Sequence, residues 1–347
     1  MNTIIFILPF LLAYTVLAVY AERKVSAFIQ GRPGPMEVGP FGMLQTVADL
    51  IKLIHKEHIL PSAATPITFR LAPILLFGVV LAGLSVIPVG PDWQGAGMDS
   101  ALFFLLAILT LEIAAIMIAG KSSGNKYSTL GAIRAVAQIV SYEVPMGVTV
   151  LTVVVFTGTL DLGTIGELQS AASSGSFLGI PGLPHAGGFT AWNLFLMPAL
   201  IPVFIVFFIC SLAESNRAPF DLPEAESELV AGFHTEYSGF PWAVIMLAEY
   251  GLMLLTSLLA VVLFLGAWNT PLVDAGAFKL GTWTTGTVWG IIWLFSKALV
   301  LVLVQIWVRW TYPRVRINQM LSISWKYLTP GALVLLVVTG LWKLLIA

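Results

Sequence analysis

Between Glu214 and Tyr250 the chain reads ESNRAPFDLPEAESELVAGFHTEYSGFPWAVIMLAEY, and seven of its eighteen acids fall there: Glu214, Asp221, Glu224, Glu226, Glu228, Glu236 and Glu249. A single arginine, Arg217, stands among them, and apolar runs flank the stretch on both sides. Carboxylates at that density beside hydrocarbon are costly and call for a partner, water, a protein cover or a task. Solvated, they make an acidic surface. Covered by a partner, they become mutually coupled groups suited to passing protons. Pro219 and Pro223 punctuate the backbone, and Asp221-x-x-Glu224 has the spacing of a capping-box variant opening a helix. Glu224 and Glu228 would then share a face at i, i+4, where like charges repel.

Four ionisable groups, one of them Glu249 again, sit inside apolar runs: Glu112, Glu143, Glu249 and Lys297. A charge at the bilayer centre costs about 2.5 kcal/mol or more. For Glu112 and Lys297 one reading is structural pairing between helices, Glu with Lys for instance, and a functional reading stays open beside it. Glu143 differs, because it lies in SYEVP, where Pro145 removes a backbone donor from the preceding turn. A disturbed helix with a carboxylate and hydroxyls beside it suits a hydrated proton path. Glu249 lies about seven residues beyond Trp242, the flank of its run, so snorkelling explains it poorly.

Other chemistry is missing. One cysteine, Cys210, excludes an internal disulfide and a cluster held by this chain alone, since iron–sulfur clusters want about four thiolates. No GxGxxG followed by an acid marks a dinucleotide site. Gly120-Lys121-Ser122 resembles the end of a phosphate loop, but Ala115 occupies the upstream glycine position. His55, Glu57 and His58 lack HExxH spacing and read as a solvated face. Neither a nucleophile–base pair nor a metal site emerges.

The elements that must position these groups follow from composition. With 58% hydrophobic and 10% charged residues in 347, this is a membrane protein rather than a soluble one. The expected fold is an all-α integral membrane protein, one domain over 1–347. Its eight transmembrane helices are Thr3–Tyr20, Leu71–Val89, Ala101–Ala119, Ala135–Leu160, Ala191–Ala213, Gly239–Trp268, Trp283–Val308 and Tyr327–Trp342. Thr3–Tyr20 has no basic leader or cleavage site and reads as a retained helix rather than a signal peptide. Connectors 21–70, 120–134, 214–238 and 309–326 hold 14 of the 17 basic residues, which places them in the cytoplasm and both termini outside. In the first connector, GRPGP at Gly31–Pro35 is a stiff turn. Phe41–Ile59 then carries Leu44, Val47, Leu50, Ile51 and Ile54 at helical spacing, an amphipathic helix for the cytoplasmic interface. The Gly- and Ser-rich stretch Asp161–Thr190 reads as an external connector with little to hold it, and Tyr312–Trp325 as a basic cytoplasmic link. There is no internal repeat of the transporter kind.

Several long motifs in order resemble a known family. They are AERK at Ala21–Lys24, GPFGMLQTVADLIKLIHKE at Gly39–Glu57, GAIRAVAQIVSYEVP at Gly131–Pro145, ESNRAPFDLPEAESELVAGFHTEY from Glu214, and YPRVRINQM at Tyr312–Met320. The chain is similar over essentially its whole length to the H subunit of bacterial NADH-quinone oxidoreductase, the counterpart of subunit 1 of mitochondrial NADH dehydrogenase in respiratory complex I. The resemblance implies an eight-helix subunit at the junction with the peripheral arm, supplying the quinone entrance and part of the quinone chamber. It puts Glu22, Arg23, Phe28, Arg32, Asp49, Lys52 and Arg309 on or near the quinone passage. It puts Glu143, Glu214, Asp221, Glu224, Glu226, Glu228, Glu236 and Glu249 at the acidic positions that link quinone chemistry to proton translocation, with Tyr237 and Tyr250 beside them. His234 departs from the family pattern, where asparagine is usual, and a histidine there can itself titrate near neutral pH.

The same resemblance implies quinone as substrate and no cofactor bound by this chain, with NADH, FMN and the iron–sulfur clusters held by partner subunits. The implied partners are the peripheral-arm subunits of the quinone site, small membrane subunits next to antiporter-like subunits, and lipid, with no nucleic acid. The implied location is the bacterial inner membrane. Two other readings stay open: the membrane anchor of a related hydrogenase-type complex, and an autonomous ion transporter.

Overall fold

A computed structural model of the chain describes residues 2–90, 93, 97–170, 177, 186–223, 229–273 and 280–346. Among the described residues every regular element is helical, apart from one isolated bridge between Gly90 and Trp93. Six helices are long and apolar enough to cross a bilayer. These are α3 (Pro66–Val86), α4 (Ala101–Ser122), α5 (Lys126–Thr157), α7 (Phe240–Phe264), α8 (Thr287–Thr311) and α9 (Ile317–Leu345). With them stand α1 (Asn2–Ile29), the short α2 (Gln45–His55) and α6 (Leu200–Glu214).

Helix boundaries depart from the apolar runs where local chemistry overrides hydropathy. Helix α1 continues past Tyr20 to Ile29, because Ala21–Ile29 contains no glycine or proline to stop it. Helix α5 begins at Lys126 rather than Ala135, since the Asn125 side chain accepts from the Tyr127 amide and caps it. The span expected over Ala191–Ala213 is broken. Met197, just before Pro198, adopts an extended backbone, and the long helix starts only at Leu200. The helix expected over Phe41–Ile59 occupies Gln45–His55, with Phe41 in a tight turn at positive φ.

The basic link is shorter than the sequence suggests: only residues 312–316 are non-helical, and Ile317 already opens α9. The Gln319 side chain accepts from the Arg316 amide there, which caps the helix start. Asp161–Thr190 is also better held than expected in its first part. Asp161 caps the short helix Leu162–Glu167, and buried Gln169 donates to Val262 O and accepts from the amides of Asn193 and Gly266.

Helix α7 is the axis of the fold. It packs on α1, α3, α6 and α8, and every residue from Ala248 to Phe264 is buried. A helix apolar all round belongs in such a core. The α4–α5 hairpin closes tightly because a Cβ on Gly120 would sit 2.2 Å from that of Ala132. Small residues let backbones approach in this way.

Candidate functional site

Two clusters of ionisable side chains lie against α7. The first is built on α1, where Leu11, Tyr14, Ala18 and Glu22 form one buried stripe at three- and four-residue spacing. Glu22 is 7% exposed and accepts a hydrogen bond from Arg309 on α8 and another, at 2.5 Å, from Tyr250 Oη on α7. Arg217 Nη1 stands 3.6 Å from Oε2, the oxygen that accepts from Tyr250, and that guanidinium lies over the Tyr250 ring, 4.4 Å from its centre. One buried carboxylate thus sits between two arginines, Arg217 buried and Arg309 half-buried, so that losing it would disturb both.

The ending of α6 explains how Arg217 reaches this site. Asn216 has φ of +49°, its amide bonds Ala213 O, and the Arg217 amide bonds Leu212 O. This is a Schellman termination with asparagine in the left-handed position. Gln138 Nε2 on α5 fastens it by donating to Ala213 O at 2.9 Å and Asn216 Oδ1 at 3.2 Å.

The second cluster consists of Glu112 on α4, Glu143 on α5, Glu214 at the end of α6 and Glu249 on α7. Glu112 is within electrostatic reach of the other three, and Glu214 of Glu143. Glu214 is fully buried and Glu112 nearly so. Neither Glu214 oxygen has a hydrogen-bond partner among the described residues, nor do Glu112 Oε2 and Glu143 Oε1. Unpaired buried carboxyls are expensive as anions and persist more readily with protons or water. Two pairs of residues close in sequence join the clusters. Glu249 faces the acids while Tyr250 faces Glu22, and Glu214 faces the acids while Arg217, one turn on, faces Glu22.

Glu112 and Lys297 do not pair. Lys297 Nζ donates to the carbonyls of Leu265 at 2.8 Å, Ala267 at 3.0 Å and Asn269 at 2.6 Å, and lies 4.6 Å from the centre of the Trp192 ring. It satisfies acceptors just past the end of α7, where a helix leaves them open. The helix start expected at Glu224, with Asp221 as its cap, lies outside the described residues. The Asp221 carboxylate accepts from Arg314 Nη2 at 2.9 Å.

The remaining candidates separate. Arg23 Nη1 donates to Asp49 at 2.6 Å, and Lys52 Nζ is 3.7 Å from the same carboxylate, tying α1 to α2. Burial raises the Asp49 pKa, but the hydrogen bond and charge of Arg23, helped by Gln45 and Lys52, outweigh it and hold the carboxyl below its usual range. Arg32 bonds only Gln30 and Ser26, and Phe28 is 87% exposed, so neither joins that network. Glu236 accepts from Asn125 Nδ2 at 2.6 Å, beside buried His234. Glu224, Glu226 and Glu228 lie outside the described residues. Tyr14 was not visible as a site residue from composition, although its spacing from Glu22 along one helix face was there to read.

The model of the NADH dehydrogenase family matches residues 1–340. The chain belongs to that family. It is 48% identical over 360 residues to the NADH-quinone oxidoreductase H subunit numbered 2 of Cytophaga hutchinsonii, covering 99% of this chain and 98% of the relative. It is 46% identical to the NADH-quinone oxidoreductase H subunit of Chlorobium luteolum, over 98% of this chain and 87% of the relative. It is 44% identical to that of Chlorobaculum parvum, over 98% and 90%. The expected family, reached from the motifs, is therefore the one the chain belongs to.

Proposed function

We propose that this NADH dehydrogenase family member is the membrane subunit of a proton-translocating NADH-quinone oxidoreductase, in which it borders the quinone passage and couples quinone reduction to proton movement. Two features support this: near-end-to-end similarity to subunits of that name, and the meeting of two charged clusters at Glu249–Tyr250. In this reading eight helices span the membrane, with α1 and α6 added to the six long apolar ones, and α2 lies in the cytoplasmic interface. The apolar side chains Leu44, Ile51 and Ile54 on and beside α2, each at least half exposed, suit lipid or a partner there. The basic connectors face the cytoplasm of a bacterial inner membrane, and both termini face outward.

Quinone approaches between α1, α2 and α7, its tail against apolar walls. The Glu22–Arg217–Arg309 node and the Arg23–Asp49–Lys52 network set the field along the passage. NADH, FMN and iron–sulfur chemistry belongs to partner subunits. Reduction of the quinone headgroup takes up protons and changes the charge beside the node. That change biases Tyr250 and Arg217, and through Glu249 and Glu214 the protonation of Glu112 and Glu143. Asp221, Glu236 and the acids Glu224, Glu226 and Glu228 connect this cluster to the loop.

The single observation on which the reading rests most is the convergence of carboxyls from four helices, with Glu112, Glu214 and Glu249 buried and Glu143 half-buried. Replacing Glu143 by glutamine in the assembled complex tests it. Reconstituted vesicles are expected to lose most proton pumping and much quinone reduction, and wild-type values for both would refute the assignment.

A further inference from the structure

Helix α5 runs unbroken through Pro145, and that proline has no amide to offer the Ser141 carbonyl one turn earlier. The acceptor is buried, so leaving it empty would be costly. A side chain from another helix fills it: Ser324 Oγ on α9 donates to Ser141 O. The next residue reciprocates, with Tyr142 Oη donating to Met320 O at 3.2 Å. Met320 and Ser324 are one turn apart on α9, and all four residues are buried. Ser324 stands in a π-helical turn, Ile323–Leu328, the local widening by which a helix re-aims a side chain. The very next residue on α5 is Glu143, with Glu112 and Glu214 facing it from α4 and α6.

The start of α9 also holds the acid loop. Just before it, Arg314 pairs with Asp221, and the Val315 amide donates to Pro219 O at 3.1 Å. The first turns of α9 are therefore fastened at one end to the loop and at the other to the turn presenting Glu143.

We propose that Ser324 is a positioning residue for Glu143: by occupying the carbonyl that Pro145 frees, it fixes the turn that aims this carboxyl at Glu112 and Glu214 and ties that aim to the acid loop. This rests on Glu143 being a coupling carboxyl. A shared proline defect, a hydroxyl aimed into it and a reciprocal tyrosine bond support the assignment, and bulk packing of α5 on α9 requires none of them.

The test is a double-mutant cycle between Ser324→Ala and Pro145→Ala in the purified complex, because an alanine at 145 supplies the missing amide. The readouts are the pH midpoint of the carboxyl infrared band that is lost in Glu143→Gln, and the ratio of protons pumped to quinone reduced. Ser324→Ala is expected to shift the midpoint by about half a pH unit or more and to lower the ratio. In the Pro145→Ala background the same substitution is expected to shift neither. If Ser324→Ala alone does not assemble, the double variant is expected to assemble. An unmoved midpoint in Ser324→Ala overturns the proposal, and so does an effect that persists undiminished with Ala at 145, or a double variant that also fails to assemble. Normal pumping by Glu143→Gln would end the coupling reading, while the infrared midpoints would still decide the positioning role.

Discussion

Tyr237 Oη donates to the carbonyl of Phe69 across 3.1 Å, and the two rings stack with centroids 4.1 Å apart. Phe69 stands one turn before Pro73, so this carbonyl is the one the proline removes from the α3 ladder. Burial pushes the Tyr237 phenol up to about 12, against a smaller downward pull from Ser122, so it stays protonated and able to donate this hydrogen bond at physiological pH. The end of the acid loop is thus latched to a defect in α3, as α9 is latched to the defect in α5.

Removing that donor should loosen the loop. Tyr237→Phe keeps the stacked ring but leaves a buried carbonyl unpaired, a cost of about 1–3 kcal/mol. Thermal denaturation of the complex is expected to shift down, and amides around Thr235–Tyr237 to exchange faster. Adding Pro73→Ala should recover most of the loss. Equal destabilisation with and without that second change would show that the hydroxyl acts elsewhere.

Lys297 should matter for stability and not for proton transfer. Lys297→Met strands three carbonyls beyond α7, which is expected to destabilise the protein by about 1–3 kcal/mol or more. Complexes that do assemble should pump the normal number of protons per quinone reduced. A lowered ratio in those complexes would return Lys297 to the proton path.

Glu22 is expected to be intolerant of neutralisation. Glu22→Gln removes the carboxylate that Arg217 and Arg309 share, and breaking a buried pair costs about 3–5 kcal/mol. Assembly yield should fall sharply, and Glu22→Gln combined with Arg309→Gln should be milder than the sum of the single changes. Additive losses would mean that the three groups do not act as one unit.

The α1–α2 tie should be insensitive to mild acid. The Asp49 carboxyl titrates below its ordinary range in the folded protein, so its contribution is complete above the unfolded value and disappears only as pH falls through the lower folded value. Spin labels at the exposed positions Phe28 and Ile54 should report a constant separation from neutral pH down to about 4, near the ordinary aspartate value, and a change below it. The same change is expected at neutral pH in Asp49→Asn. A transition well above the ordinary aspartate value would contradict the Arg23 partnership.

Much of the fold was legible because apolar runs and lipid thickness share one length scale. Six of the marked runs coincide with long apolar helices, and the organising role of the Glu214–Tyr250 stretch is borne by Arg217, Glu249 and Tyr250. What escaped depends on contacts between distant residues. Hydropathy places Glu112 and Lys297 in spans but is blind to rotation about the helix axis, so their partners could not be read. The early start of α9 escaped for a different reason: its first turns are polar, and a hydropathy window penalises Arg316, Asn318 and Gln319 although all three suit a helix start.

The encased position of α7 bears on how the chain is made. Translation delivers α7 before α8, yet α8 supplies part of its sheath, including Arg309 and its bond to Glu22. A ribosome-bound intermediate that stops after Asn269 would leave the carbonyls of Leu265, Ala267 and Asn269 without the Lys297 ammonium that α8 supplies. Helix α8 therefore closes this side of the wall, and its arrival decides whether the innermost helix is sheltered.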